Sequence, residues 1–114
     1  MPTLRRCSPA WQALAAACAL AALVDPASAQ MSPAAQRGLT YVRTYCAQCH
    51  SVDKATESPL RVAIPLRDVH RRYPVDSLAE SLGEGIRTGH PSMPEYQLDP
   101  GQVADVIAYL KTLE

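Results

Sequence analysis

Cys46-Ala47-Gln48-Cys49-His50 follows a helical pattern and precedes a run of loop signals. Its two cysteines stand about one helical turn apart. Their sulfurs can reach the two vinyl groups of one porphyrin, and His50, next in the chain, is then aimed at a central iron from the same side. This spacing is the attachment signature of c-type haem. A neutral imidazole binds iron through one ring nitrogen, and the other is expected to donate to a backbone carbonyl. Two other chemistries use paired cysteines. A redox dithiol sits beside a βαβ pattern with its first cysteine at a helix N-terminus. Here the motif follows a helix and no strand pattern is visible. A zinc site needs four ligands. Cys46, Cys49, His50, His70 and His90 supply enough donors, but adjacent residues at 49 and 50 chelate one ion poorly.

The rest of the chain explains why a prosthetic group is expected. The sequence has 114 residues, with 11 basic and 11 acidic side chains and a pI near 6.8. That balance argues against a nucleic-acid binder and against a polybasic membrane arm. The N-terminus reads as an export signal over residues 1–29. Arg5 and Arg6 form a positive start, Trp11 to Val24 is an uncharged Ala- and Leu-rich run, and Ala27-Ser28-Ala29 is a small-residue cleavage site. The run is shorter than the ~20 residues of a membrane-spanning helix. A retained N-terminal anchor is the alternative, and a lipid-modified Cys18 is a further one.

Cleavage after Ala29 leaves residues 30–114 as a single domain, with export implying a periplasmic location. It removes Arg5, Arg6 and Asp25, which takes 11 basic and 11 acidic side chains to 9 and 10. It also removes Cys7, Cys18 and the only Trp, and the sequence has no Phe. A domain this small has difficulty burying enough apolar surface, and it lacks the side chains that bury most. A disulfide between Cys46 and Cys49 closes too small a loop to compensate. One covalently bound haem is expected to fill the deficit.

Helix punctuation divides the mature chain. Ser32-Pro33 is a helix start, with Ala35, Leu39, Val42 and Tyr45 at helical spacing behind it. Gly38 inside that helix costs about 1 kcal/mol relative to Ala, and close approach of another helix is its expected use. Residues 51–64 read as loop. A short helix is expected from Leu66 to Arg72 with Leu66, Val69 and Tyr73 on one face. Another opens at Asp76 or Ser77, carries Val75, Leu78, Leu82 and Ile86 as its stripe, and is weakened and ended by Gly83, Gly85 and Gly89. His90 to Leu98 reads as extended loop. Asp99-Pro100-Gly101-Gln102 combines a cap, a first-turn proline and a capping-box partner, and Leu98 with Val103 forms a hydrophobic staple. Val103, Val106, Ile107, Leu110 and Leu113 continue as the last stripe. The expected class is all-α, three to four short helices with long loops around the haem.

The second axial ligand is expected to be Met93. It sits in His90-Pro91-Ser92-Met93-Pro94, off every core stripe and stiffened by proline. Its thioether is a soft, neutral ligand that favours ferrous iron and raises the reduction potential. His90 and His70 are the rival ligands. Tyr96 is a candidate for the edge of the ring. Arg71, Arg72 and Tyr73 are the densest group of possible propionate donors.

These residues resemble the class I c-type cytochromes, small monohaem electron carriers. Gly38, Val42 and Cys46–His50 are similar to the family's N-terminal helix and attachment site, and Val106-Ile107-Ala108-Tyr109-Leu110 to its C-terminal helix. The resemblance implies that the two helices cross with Gly38 near Val106 and Tyr109. It implies that the Pro65 carbonyl accepts from His50, and that Met93-Pro94 is the distal methionine loop. Class II cytochromes carry the motif near the C-terminus, unlike this chain. The function implied is periplasmic transfer of single electrons, not enzymatic catalysis. The implied partners are transient redox proteins (a dehydrogenase, oxidase or reductase), with no nucleic acid, no stable membrane insertion and a monomeric state. The alternative is a haem subunit bound tightly to one periplasmic dehydrogenase or oxidase.

Overall fold

Two helices with well-marked ends frame the fold. The computed structural model of the chain describes residues 30–85 and 93–114. The export signal read over residues 1–29 lies outside the described residues, as do Ile86, Gly89 and His90. Helix α1 spans Pro33–Tyr45. The Ser32 hydroxyl accepts from the Ala35 N–H at 3.1 Å, and Pro33 occupies the first turn, where no N–H is missed. Ala35, Gly38 and Val42 are its buried residues. Tyr45, expected on the same stripe, is 45% exposed. The core ends at Val42, and the last turn of α1 instead serves the attachment motif.

The C-terminal helix spans Pro100–Lys111 and is α3 in chain order. Its capping box is complete. Asp99 accepts from the Gln102 N–H at 2.9 Å, and the Gln102 side chain accepts from the Asp99 N–H at 3.1 Å. Val106, Ile107, Tyr109 and Leu110 are buried on it, and Leu113 follows just beyond. Leu98 and Val103 both join this core, as the staple requires.

Helices α1 and α3 pack against each other more extensively than any other pair of elements. Gly38 is the reason they can. A Cβ at Gly38 would lie 2.0 Å from the Asp105 carbonyl oxygen and 2.8 Å from Tyr109 Cβ. The backbone of α3 therefore occupies the space a side chain would take. The contact falls on Asp105 and Tyr109, a small shift from the expected Val106 and Tyr109. Beside the crossing, the Arg37 guanidinium donates to both carboxylate oxygens of Asp105 at 2.7 Å.

The middle of the chain is built of short pieces. A 3₁₀ helix covers Leu66–Arg71, a second covers Val75–Ser77, and helix α2 covers Leu78–Glu84. The α-helical face expected through Leu66, Val69 and Tyr73 is not formed. Val69 is buried, but Tyr73 is 58% exposed. At three residues per turn, positions 66, 69 and 72 line up, and Tyr73 swings off the face. Ser77 flanks α2, and the helix stops at Gly85, whose φ of 99° is a left-handed value that glycine adopts without strain. No strand occurs among the described residues, and the class is all-α. No helix among them is long and apolar enough to cross a membrane.

Candidate functional site

The end of α1 runs directly into the motif. The Cys46 N–H bonds to the Val42 carbonyl at 2.9 Å, and the His50 and Cys49 N–H groups return to the Cys46 carbonyl at 2.9 and 3.2 Å. These bonds hold 46–50 in one tight turn. The two sulfurs are thus presented from successive positions of a single coil, with the imidazole next in line.

The loop after the motif is laced back onto it. The Leu60 N–H donates to the Cys49 carbonyl at 3.1 Å and the Leu66 N–H to the Ser51 carbonyl at 2.9 Å. His50 Nδ1 lies 2.6 Å from the Ile64 carbonyl oxygen. A carbonyl can only accept, so Nδ1 carries the proton and Nε2 keeps the lone pair. This bond fixes the tautomer and orients the ring. The acceptor is one residue earlier than the resemblance implied. The Pro65 carbonyl is committed elsewhere: it accepts from the Asp68 N–H at 2.9 Å and opens the 3₁₀ helix. Proline keeps its predecessor extended, which frees the Ile64 carbonyl for His50.

Arg67 secures the same loop, and nothing in the sequence pattern marks it out. Its side chain is largely buried and donates to the Ser51 hydroxyl at 3.3 Å, to Glu57 at 3.1 Å and to the Thr56 carbonyl. Asp53 caps the next turn. Its carboxylate accepts from the Thr56 N–H, the Ala55 N–H and the Thr56 hydroxyl, each at 2.7 Å, and its pKa falls to about 2. The Tyr109 hydroxyl reaches from α3 to the Val52 carbonyl, which ties the helix crossing to the loop behind His50.

Met93 arrives from the other side of the sequence. Leu98 is buried, and its N–H donates to the Leu82 carbonyl at 2.9 Å, which anchors the segment just before α3. Upstream of that anchor, Met93, Pro94 and Tyr96 line one open cavity together with Tyr45, Cys46, Gln48, Cys49 and His50. All four residues singled out from the sequence therefore border one space, although Met93 comes from a segment far along the chain. Tyr96 joins them, as does Tyr45, which helical spacing had assigned to the core stripe. His70 is exposed and does not line this space. Arg71, Arg72 and Tyr73 are exposed and do not line it either, and Arg71 pairs with Asp68 at 3.4 Å.

The Cys46 thiol is not poised for redox exchange. Both cysteines are free, and burial, with Cys49 adding to it, pushes the Cys46 thiol up to about 11. A reactive dithiol needs the opposite shift, toward thiolate. Among the described residues no group of three or more His, Cys, Asp or Glu is placed to hold a metal ion.

The family model for cytochrome c matches residues 35–114. The chain belongs to the cytochrome c family. No curated protein and no solved structure matches the chain. Cytochromes c are electron carriers and not enzymes, so this is an electron-transfer protein whose family implies haem c as cofactor and redox proteins as partners. The residues present fit that group. The cavity lining combines two uncommitted thiols, an imidazole with a free Nε2 and a thioether. Apart from tyrosine, cysteine and histidine, its described lining residues carry no ionisable side chain.

Proposed function

We propose that this cytochrome c, exported and trimmed of residues 1–29, carries single electrons in the periplasm on one haem held by Cys46, Cys49, His50 and Met93. The observation that carries the reading is that these four side chains, from two distant segments, border one cavity. Cys46 and Cys49 would hold the ring through two thioethers. When bound, the group supplies an iron that cycles between ferric and ferrous.

The protein's residues set the conditions for that cycle. His50 would bind through Nε2, and its bond to the Ile64 carbonyl fixes the tautomer and the orientation of the ring. Met93 supplies a neutral sulfur, which favours the ferrous state. The turn at 46–50 and the Leu98 anchor hold the two ligand-bearing segments from separate elements. Tyr45, the last residue of α1, lines the site beside Cys46. Partner recognition is transient and short-range, because the mature chain is close to neutral and the described cavity lining carries no acidic or basic residue apart from His50.

Absorption spectra and denaturing gels stained for haem test the reading on protein matured in the periplasm. Replacing both Cys46 and Cys49 with Ala should leave no haem on the gel. Met93→Ala should abolish the weak far-red ferric band given by sulfur on iron, lower the reduction potential and let the ferrous form bind CO. A colourless wild-type protein, or a Met93→Ala variant with unchanged spectrum and potential, refutes it. A stable one-to-one complex with a dehydrogenase or oxidase on purification supports the fixed-subunit alternative.

A further inference from the structure

Two segments of different origin meet at the mouth of the cavity. Tyr45, the last residue of α1, stands next to Cys46. Tyr96 stands three residues beyond Met93. Their rings lie 5.8 Å apart between centroids and are inclined at 56°. That geometry falls in the favourable range for aromatic pairs. Tyr45 is itself braced from below: the Tyr41 ring, one helical turn earlier, lies 4.6 Å away at 43°. Tyr45 is 45% exposed, so its position does not come from burial in the core. Its neighbours on either side hold it.

The contact changes how tightly Met93 is held. Downstream, the segment is anchored at Leu98 by its burial and its bond to Leu82. Five residues of extended chain, the separation of Met93 from that anchor, span up to about 17 Å. A second point at Tyr96 lies closer, on a tether of three residues, about 10 Å. It also ties the tether to the helix that carries the attachment motif. The sulfur-bearing loop and the imidazole-bearing turn are then referenced to each other directly across the mouth.

We infer that Tyr45 and Tyr96 form a clasp that holds the Met93 loop closed over the face of the cavity opposite His50. Both are positioning residues for the second axial ligand, an inference that rests on Met93 being that ligand. Opening the clasp makes sulfur easier to displace by a small competing ligand.

The test uses ferric holoprotein with covalently attached haem and imidazole as the competing probe. Tyr45→Leu and Tyr96→Leu should each tighten imidazole binding by about two- to tenfold, the range an aromatic pair supports. The double variant should gain no more than either single one, because the clasp is already open. Tyr45→Phe and Tyr96→Phe keep the ring contact and should bind imidazole as the wild type does. Leucine variants with wild-type affinity, or single effects that multiply in the double variant, overturn the clasp while the sulfur band persists. A wild-type protein without that band that binds CO when reduced overturns the Met93 reading and the clasp together.

Discussion

Gly38→Ala and Gly83→Ala make the same chemical change in two helices and should move stability in opposite directions. At Gly38 the new methyl carbon would start 2.0 Å from the Asp105 carbonyl oxygen, 2.6 Å from its carbon and 2.8 Å from Tyr109 Cβ. Ordinary contact begins at 3.4 Å, so α1 and α3 must separate by as much as 1.4 Å, the difference between 3.4 and 2.0. The obstructing atoms include backbone, which no rotamer change can move. Separation on that scale loosens Val42, Val106, Tyr109 and Leu110 together, since a gap of even 0.5–1 Å forfeits roughly a quarter to a half of a contact's dispersion energy.

Overpacking of this kind costs about 1–3 kcal/mol, sometimes more. With backbone in the way, the upper end applies, about 3 kcal/mol. The better helix propensity of Ala returns about 1 kcal/mol. The net loss should be about 2 kcal/mol or greater, a large part of the roughly 5–15 kcal/mol that stabilises a native domain. At Gly83, in α2, the nearest atom is Val103 Cγ2 at 4.0 Å, and the backbone is not left-handed. There Ala should stabilise by about 0.5–1 kcal/mol. Guanidinium unfolding of the two holoproteins, followed by far-ultraviolet circular dichroism, measures both against wild type. A Gly38→Ala protein as stable as Gly83→Ala, at unchanged denaturant slope, would refute the backbone-contact argument.

Three further outcomes are expected. Asp53 has its pKa lowered from 3.8 to about 2 by the Thr56 and Ala55 N–H groups and the Thr56 hydroxyl, so its stabilisation is fully present above the ordinary carboxylate value and is lost as pH falls toward 2. Acid titration of unfolding should show Asp53→Ala less pH-dependent than wild type over that interval, and parallel curves would contradict it. Arg67→Met removes the donors to Ser51, Thr56 and Glu57 and should cost about 1–3 kcal/mol. It should also speed proteolysis within residues 51–65, and an unchanged cleavage rate counts against the lacing described above. Asp99→Ala deletes the cap of α3 and should cost about 1 kcal/mol, read as a lower unfolding midpoint.

Much of this protein is local and was therefore readable along the chain. The caps at Ser32 and Asp99 and the turn of Cys46–His50 all depend on groups within a few residues of one another. Their hydrogen bonds form with little help from the rest of the molecule, and residue type at a given spacing is enough to announce them. The 3₁₀ form of Leu66–Arg71 was not announced, because the face of Leu66, Val69 and Tyr73 fits a period of 3.6, and only its first two residues share a face at 3.0.

Other features exist only once distant segments meet. Whether Ile64 or Pro65 accepts from His50 depends on how the loop folds back across 14 residues, and the 3₁₀ helix had already claimed the Pro65 carbonyl. The Asp105 carbonyl that makes Gly38 indispensable lies 67 positions away, and the reach of Arg67 to Ser51 spans 16. The pairing of Tyr45 with Tyr96 likewise appears only when the Met93 segment closes on the attachment turn. Spacing along a chain encodes geometry over one or two helical turns. Beyond that distance, the packing of α1 on α3 determines which groups become neighbours.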